Sequence, residues 1–287
     1  MNMIVVADSG STKCDWILTD KSGNLIMSQT TDGINPVMFN LPEIKRRIVK
    51  ANKILKYANQ ITQVYFYSAG CGLVSNQELL RSALENYYSM ATVEVESDLV
   101  AAVRATGGAP SIVCILGTGS NSCYFDGKII HQRFDSLGYS VMDEASGSYF
   151  GKMLLRDYFY KKMPVKLALR FEEYYEVNPE KILLNLYKKP MPAQYLASYA
   201  KFIFDIDNKD SYISHILKNG FEDLIDFQLQ IWKDYQHLPI HFIGSIAFFA
   251  EDILKESLSS RNFLIGKIIK NPIDKLLEYH VKTEKLS

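Results

Sequence analysis

Two short runs of small residues stand where chemistry could happen. Ser9-Gly10-Ser11-Thr12 follows the apolar run Ile4–Ala7 and the acid Asp8, and Gly117-Thr118-Gly119-Ser120 follows the apolar run "SIVCIL". Residues without bulk let backbone N–H groups converge on an anion, so each run reads as a cradle for phosphate. Such loops in the P-loop and dinucleotide folds open a helix. Here the first is followed by "CDWILTD", "KSGN" and "LIMSQTT", which reads as strand, tight turn and strand. The second is followed by "CYFDG" and "KIIHQRF", again strand and strand. A phosphate loop in the bend of a β-hairpin, present twice, with Asp8 at the root of the first copy, is the pattern to explain.

The elements that must position these loops repeat as well. Residues 4–31 read as three strands in a meander. Ile44, Ile48, Ala51, Leu55 and Ala58 recur at helical spacing and predict an amphipathic helix over 43–59. "QVYFYSAG" reads as a strand, "SNQE" at 75–78 as a capping box with Ser75 as N-cap, and the helix it opens as running to about Met90. "TVEVES" is a strand and "DLVAAVRAT" a helix headed by Asp98. The breaker cluster "GGAP" at 107–110 sets a domain boundary, giving one domain over 1–108 and a second over 109–287. The second opens on its own hairpin, is helical from 143 to 236, and ends in the strand–break–helix "IHFIGSIAFFAEDIL", the strand "FLIGKII" and the helix "PIDKLLEYH".

The 287 residues suffice for two ordinary domains, and 47% apolar residues suffice for their cores. Lys plus Arg (32) equal Asp plus Glu (32), which argues against nucleic acid or an anionic membrane as the main partner. No stretch approaches the roughly 18 apolar residues of a membrane span, and Asp8 interrupts the first apolar run too early for a signal peptide. Cys14, Cys71, Cys114 and Cys123 show no CxxC spacing. The expectation is a reducing, cytoplasmic setting. His237 and His241 are four apart, but Pro239 opposes a shared helix face for metal binding. The Tyr-rich stretch "RFEEYYEVNPE" reads as helix packing.

Two phosphate-loop hairpins on two similar α/β domains resemble the actin, hexokinase and Hsp70 superfamily. The ordered set "DSGSTK", "GINP", "SDLVAA", "LGTGSNS" and "MDEASG" looks like the BadF/BadG/BcrA/BcrD ATPase family, in its N-acetylglucosamine kinase-like branch. The similarity runs over nearly the whole chain. It implies two ribonuclease-H-like domains with ATP in the cleft between them, and domain closure that expels water. It implies a small amino sugar as the substrate, phosphorylated at its 6-hydroxyl, and a homodimer as a common assembly. Asp8 would hold Mg²⁺ through waters, as a hard anionic oxygen does. Ser9, Gly10, Ser11, Thr12 and Lys13 would donate to the β- and γ-phosphates, although Lys13 reads equally well as a solvated surface charge. Gly117, Thr118, Gly119 and Ser120 match the second phosphate motif, and Gly244 and Ser245 stand at the adenosine motif. Asp98 matches the catalytic base. A helix N-terminus keeps such a carboxylate ionised, and phosphoryl transfer asks it mainly to orient the hydroxyl and take its proton late. Asn35, Thr118 and Asp143 match sugar-binding positions, with Glu144 assisting. The amide of Asn35 both donates and accepts, though a turn role beside Pro36 is the simpler one.

The chain departs from the branch's pattern in four places. Met142 and Ala145 replace glycines that flank the Asp-Glu pair, Leu137 aligns with a sugar-contacting Trp, and Ser245 replaces the second glycine of the adenosine motif. Two other readings stay open within the family. An activator of 2-hydroxyacyl-CoA dehydratases needs cysteine thiolates to hold an iron–sulfur cluster, but Cys114 falls in an apolar strand and Cys123 at the start of a hairpin strand. A non-catalytic sugar or nucleotide sensor of this fold carries a DNA-binding module, for which no room is expected ahead of a strand that starts by residue 4.

Overall fold

The computed structural model describes residues 2–206 and 210–284. Its strands and helices, in chain order, are β1 (Met3–Ser9), β2 (Lys13–Asp20), β3 (Leu25–Asp32), α1 (Leu41–Ile48), α2 (Asn52–Leu55), β4 (Ile61–Ser68), α3 (Val74–Glu85), β5 (Thr92–Ser97), α4 (Asp98–Thr106), β6 (Ser111–Leu116), β7 (Ser120–Phe125) and β8 (Ile130–His131). There follow α5 (Gly147–Phe159), α6 (Val165–Tyr174), α7 (Pro179–Tyr187), α8 (Pro192–Tyr199), α9 (Lys201–Asp205), α10 (Ser211–Leu224), β9 (Ile240–Ile243), α11 (Ser245–Phe249), α12 (Glu251–Ser260), β10 (Ile265–Ile269) and α13 (Ile273–Glu284).

The fold is α/β, in two units. Each unit holds a five-stranded sheet, in the orders β3-β2-β1-β4-β5 and β8-β7-β6-β9-β10. In each, an antiparallel meander supplies three strands and two parallel strands complete the sheet. β6 therefore holds in its sheet the place β1 holds in the first, and each is the central strand whose end feeds a small-residue loop.

The boundary at 108/109 coincides with the start of the second unit, but that unit ends at Lys270. The chain from Asn271 on belongs to the first unit, which corrects the domain expected over 109–287. The cause is apolar burial. Ile273 and Leu276 of α13 close a cluster with Ile4 and Val6 of β1, Ile17 of β2, Tyr67 of β4, and Ala101 and Ala105 of α4. His280 stacks on Tyr65 (3.5 Å between ring centres) and its Nε2 lies 2.7 Å from the Tyr67 hydroxyl, which also accepts from Arg104 at 2.7 Å. Trp16 and Phe66 meet edge to face in the same unit.

Several expected boundaries shift for local reasons. The helix over 43–59 breaks after Ile48, because the Gln29 amide caps both sides of the break: it donates to Lys50 O (2.8 Å) and accepts from Lys53 N (3.1 Å). The capping box at 75–78 does not form. α3 starts at Val74 with Leu73 as an uncapped N-cap, and Asn76 and Gln77 instead donate to the loop carbonyls of Gly70 and Cys71. α3 also stops at Glu85. β7 begins at Ser120, so the second loop is shorter than expected and Cys123 lies mid-strand. The strand "KIIHQRF" shrinks to Ile130–His131: Asp126 Oδ1 draws Lys128 N and Ile129 N into a turn, and Arg133 leaves the sheet to bond Ile231 O and cover Trp232.

In the second unit, the helices between β8 and β9 supply most of the core around Phe150, Phe171, Phe202 and Phe221. The Tyr-rich stretch is packing, as read: Phe171 and Tyr175 sit against Tyr199 and Phe202. Among the described residues no helix is long and apolar enough to cross a membrane.

Candidate active site

In the first unit, β1 is buried along almost its whole length and ends at Ser9. The buried Ser9 hydroxyl accepts from Ile34 N (2.7 Å) and donates to Ile34 O (3.0 Å), stitching the 33–35 loop to the Ser9–Thr12 loop. Gly33 must be glycine here, since a β-carbon would lie 2.2 Å from Gly10 O. Gly10 N closes the Ser9–Thr12 loop onto Lys13 O at 2.9 Å. Asn35 is buried beside it. Its Nδ2 donates to Ser11 Oγ (3.3 Å) and its Oδ1 accepts from Val37 N (2.9 Å), so the turn role and the place beside the loop coincide. Gly70, at φ +84°, makes room for that amide; a β-carbon would come within 2.2 Å of Asn35 Oδ1.

Asp8 stands directly opposite Asp15 in the β1–β2 register. Burial, the charge of Asp98 and the charge of Asp15, in that order, push its carboxyl up to about 7, and Lys13 opposes this only weakly. Lys13 is engaged elsewhere, at 2.5 Å from Asp15 on an exposed face, which favours the surface-charge alternative. Asp98 begins α4, behind Ser97, whose hydroxyl caps Val100 N. One Asp98 oxygen accepts from Leu99 N at 3.0 Å. The helix start favours the ionised form of this acid and so does not itself raise its pKa. Burial outweighs it and raises the carboxyl to about 6, with the Leu99 N–H pulling the other way. Asp8, short of a balancing cation, offers a hard oxygen donor that suits a divalent metal ion.

In the second unit, the loop Gly117–Gly119 is held from several sides. Gly117 N bonds Gly119 O (3.0 Å), and the first N–H groups of α5 are spent on it: Gly147 N donates to Gly117 O (2.8 Å) and Ser148 N to Thr118 O (3.0 Å). Asp143 Oδ1 accepts from Ser120 N at 3.1 Å. Asp143 and Ala145 both have positive φ, +70° and +55°, so the two residues flanking Glu144 lie in the left-handed region. Burial raises the Asp143 carboxyl, and the Glu144 charge adds to this against the Ser120 N–H and Lys152. Gly244, at φ +126°, packs its α-carbon against the root of the same loop; a β-carbon would lie 2.2 Å from Leu116 O. Ser245 is exposed at the start of α11. The second unit thus gathers Gly117, Thr118, Gly119, Ser120, Asp143, Glu144 and Gly244 around one strand end.

Leu137 lies on the loop before Asp143, 63% exposed. All four cysteines are buried and none forms a disulfide, Cys114 lying in β6 and Cys123 in β7. Among the described residues, no cluster of three or more His, Cys, Asp or Glu side chains forms a metal cage. One residue escaped sequence reading: Gln228, which is 3% exposed and donates to both Ser120 Oγ and Glu144 Oε2 at 2.8 Å. A lone glutamine in a helical stretch carries no motif, and no sequence signal would have found it.

No protein-family model matches the chain. No curated protein matches it either. Among solved structures, the "Putative N-acetylglucosamine Kinase" of Porphyromonas gingivalis is 33% identical, with 97% of this chain and 99% of that chain covered, at a TM-score of 0.89. A protein of the same description from Chromobacterium violaceum is 15% identical (96% and 98% covered, TM-score 0.69). A ROK family glucokinase from Streptomyces griseus, in complex with glucose and AMPPNP, is 15% identical (99% and 100% covered, TM-score 0.59). The last two speak for the fold alone. The fold together with the likeness to the P. gingivalis protein gives the class, an actin-like, ATP-dependent sugar kinase. The chain belongs to the BadF/BadG/BcrA/BcrD ATPase family, in its N-acetylglucosamine kinase-like branch.

Proposed function

We propose that this kinase transfers the γ-phosphoryl group of ATP to the 6-hydroxyl of an N-acetylamino sugar, N-acetylglucosamine first among them. The observation that carries the reading is the 33% identity, over 97% of the chain, to the P. gingivalis protein of that description. The loop geometry supports it: two closed small-residue loops, each at the end of a central strand, one beside Asp8 and Asp98 and the other beside Asp143.

In this reading Ser9–Thr12 and Gly117–Ser120 donate backbone N–H and hydroxyl groups to phosphate oxygens. Asp8 would hold Mg²⁺, which neutralises charge on the phosphate chain when bound. Asn35, Thr118 and Asp143 would orient the sugar, with Glu144 assisting. Asp98 accepts the proton of the 6-hydroxyl as its oxygen bonds to the γ-phosphorus and the bond from that phosphorus to the bridging β–γ oxygen breaks, leaving ADP. A carboxyl near 6 is a competent base at neutral pH, being ionised there yet more basic than an ordinary Asp. Gly244 and Ser245 would line the adenosine.

The test is ADP release from ATP and Mg²⁺ with N-acetylglucosamine, N-acetylmuramic acid, N-acetylmannosamine, glucosamine and glucose. Strong stimulation by one N-acetyl sugar supports the reading and assigns the sugar. Equal stimulation by glucose and glucosamine rejects the N-acetyl preference, and no stimulation by any rejects the reaction.

A further inference from the structure

α10 does not stop at Leu224. It runs into a π-helical turn, Ile225–Leu229, and then a 3₁₀ stretch, Gln230–Tyr235. A π turn inserts a residue into the helical ladder and re-aims the side chains around it. Here the long polar side chain of Gln228 is buried within the second unit. Its Nε2 makes both hydrogen bonds that an amide nitrogen can donate, to Ser120 Oγ and to Glu144 Oε2, each at 2.8 Å. The backbone around it is fastened too: Ser122 Oγ donates to Gln228 O (3.3 Å), and Trp232 Nε1 donates to that same hydroxyl (3.3 Å). The amide oxygen is different. Gln228 Oε1 is buried with no hydrogen-bond partner. An unpartnered buried acceptor opposes folding, and an apolar side chain of the same size would avoid it. What the amide adds at this position is its two donors.

Those donors act on two residues already placed at the site. A serine hydroxyl that accepts a strong hydrogen bond turns its own proton outward, so Ser120 faces its ligand as a donor. A carboxyl oxygen that accepts one is held in place, so Glu144 is oriented to face its ligand with its remaining oxygen lone pairs as an acceptor. We propose that Gln228 is a positioning residue that fixes these two polarities: the group bound at Ser120 must be an acceptor, which a nucleotide phosphate oxygen is, and the group bound at Glu144 must be a donor, which a sugar hydroxyl is. This rests on the kinase reading for the identity of the two ligands.

The experiment compares wild type with Gln228→Met, Ser120→Ala and the double variant. It measures melting temperature and the Kd for ADP with Mg²⁺ by calorimetry, without any sugar. Methionine keeps the volume and removes both donors and the orphan oxygen. The expected result is an unchanged or higher Tm together with ADP binding weakened by about tenfold, and no further weakening when Gln228→Met is added to Ser120→Ala. A structural role alone gives the reverse, a lower Tm with unchanged Kd, and overturns the proposal. Additive losses in the double variant also overturn it, since Gln228 would then act by a route other than Ser120. Should Gln228→Met fail to fold, Gln228→Leu serves instead: its side chain has no donor at any pH, so unchanged ADP affinity overturns the proposal. These readouts need no turnover. Wild type that binds ADP but phosphorylates no sugar counts against the kinase reading, and unaltered ADP binding by the variants counts against the role of Gln228.

Discussion

The carboxylate of Asp143 lies directly over Gly119, so close that a β-carbon there would sit 2.6 Å from Oδ2 and 3.0 Å from Cγ. Oδ1 of the same carboxylate accepts from Ser120 N. The acid and the loop are therefore one packed object. Gly119→Ala must push Asp143 away or distort the loop, at a stability loss of about 1–3 kcal/mol. The larger effect is expected in kcat/KM for the sugar, down by about 10²-fold if Asp143 is displaced by an ångström. Steady-state kinetics alongside thermal melts would check it; normal kinetics in a folded variant would mean that Asp143 need not stand there.

Asp98→Asn is expected to lower kcat by roughly 10²–10⁴-fold with a modest effect on sugar KM. Its carboxyl is raised to about 6, so it is protonated and unable to accept a proton below that value. The wild-type rate should fall on the acid side with a midpoint near pH 6, and the variant's residual rate should lack that limb. Stability runs the other way. A carboxyl raised in the folded state stabilises the fold at low pH, and this contribution is lost as pH rises from its ordinary value through about 6. Asp98→Asn should therefore melt higher than wild type at pH 8 and show little difference at pH 4.

Asp8 makes a similar prediction with a different readout. Its carboxyl is pushed up to about 7 by burial, Asp98 and Asp15, so Asp8→Asn should stabilise the ligand-free protein at pH 8. The same variant should lose most of the Tm increase that ADP with Mg²⁺ gives the wild type, because ligand stabilisation follows affinity. A full Mg²⁺-dependent shift in Asp8→Asn would remove Asp8 from the metal site.

His280 predicts acid sensitivity in the first unit. Burial, with the nearby Arg104 charge, lowers its imidazole to about 3. The unfolded chain takes up a proton near the ordinary histidine value and the folded chain does not, so stability is full above that value and declines as pH falls toward 3. His280→Phe keeps the stacking on Tyr65 and removes the titration. Its Tm should fall less steeply than wild type between pH 6.5 and 4, as differential scanning fluorimetry would show.

Much of this arrangement is legible in the sequence because it depends on local chemistry. Small residues between an apolar strand and a polar hairpin leave few alternatives, so both loops, and Asp98 at a strand–helix junction, are placed by residue type alone. What is illegible depends on partners far along the chain. The periodicity of Ile44, Ile48 and Ala51 continues across a break whose two sides are capped by Gln29, far back in the chain. The pattern of α13 shows an apolar face but not which unit it covers. Ala145 reads as a departure from glycine; the fold keeps the backbone that glycine would prefer, at φ +55°, and bends alanine into it. Gln228 reaches the site through a π turn, and that irregularity has no composition of its own.

The return of α13 to the first unit has a consequence for synthesis. The second unit, Ala109–Lys270, lies wholly between the two parts of the first. On a ribosome the second unit can close while its neighbour still lacks Ile273 and Leu276 over Ile4, Val6 and Ile17. The first unit, although it emerges first, must wait with an uncovered sheet face until 162 intervening residues have been made. That face is the stretch of the nascent chain most in need of shielding from wrong partners.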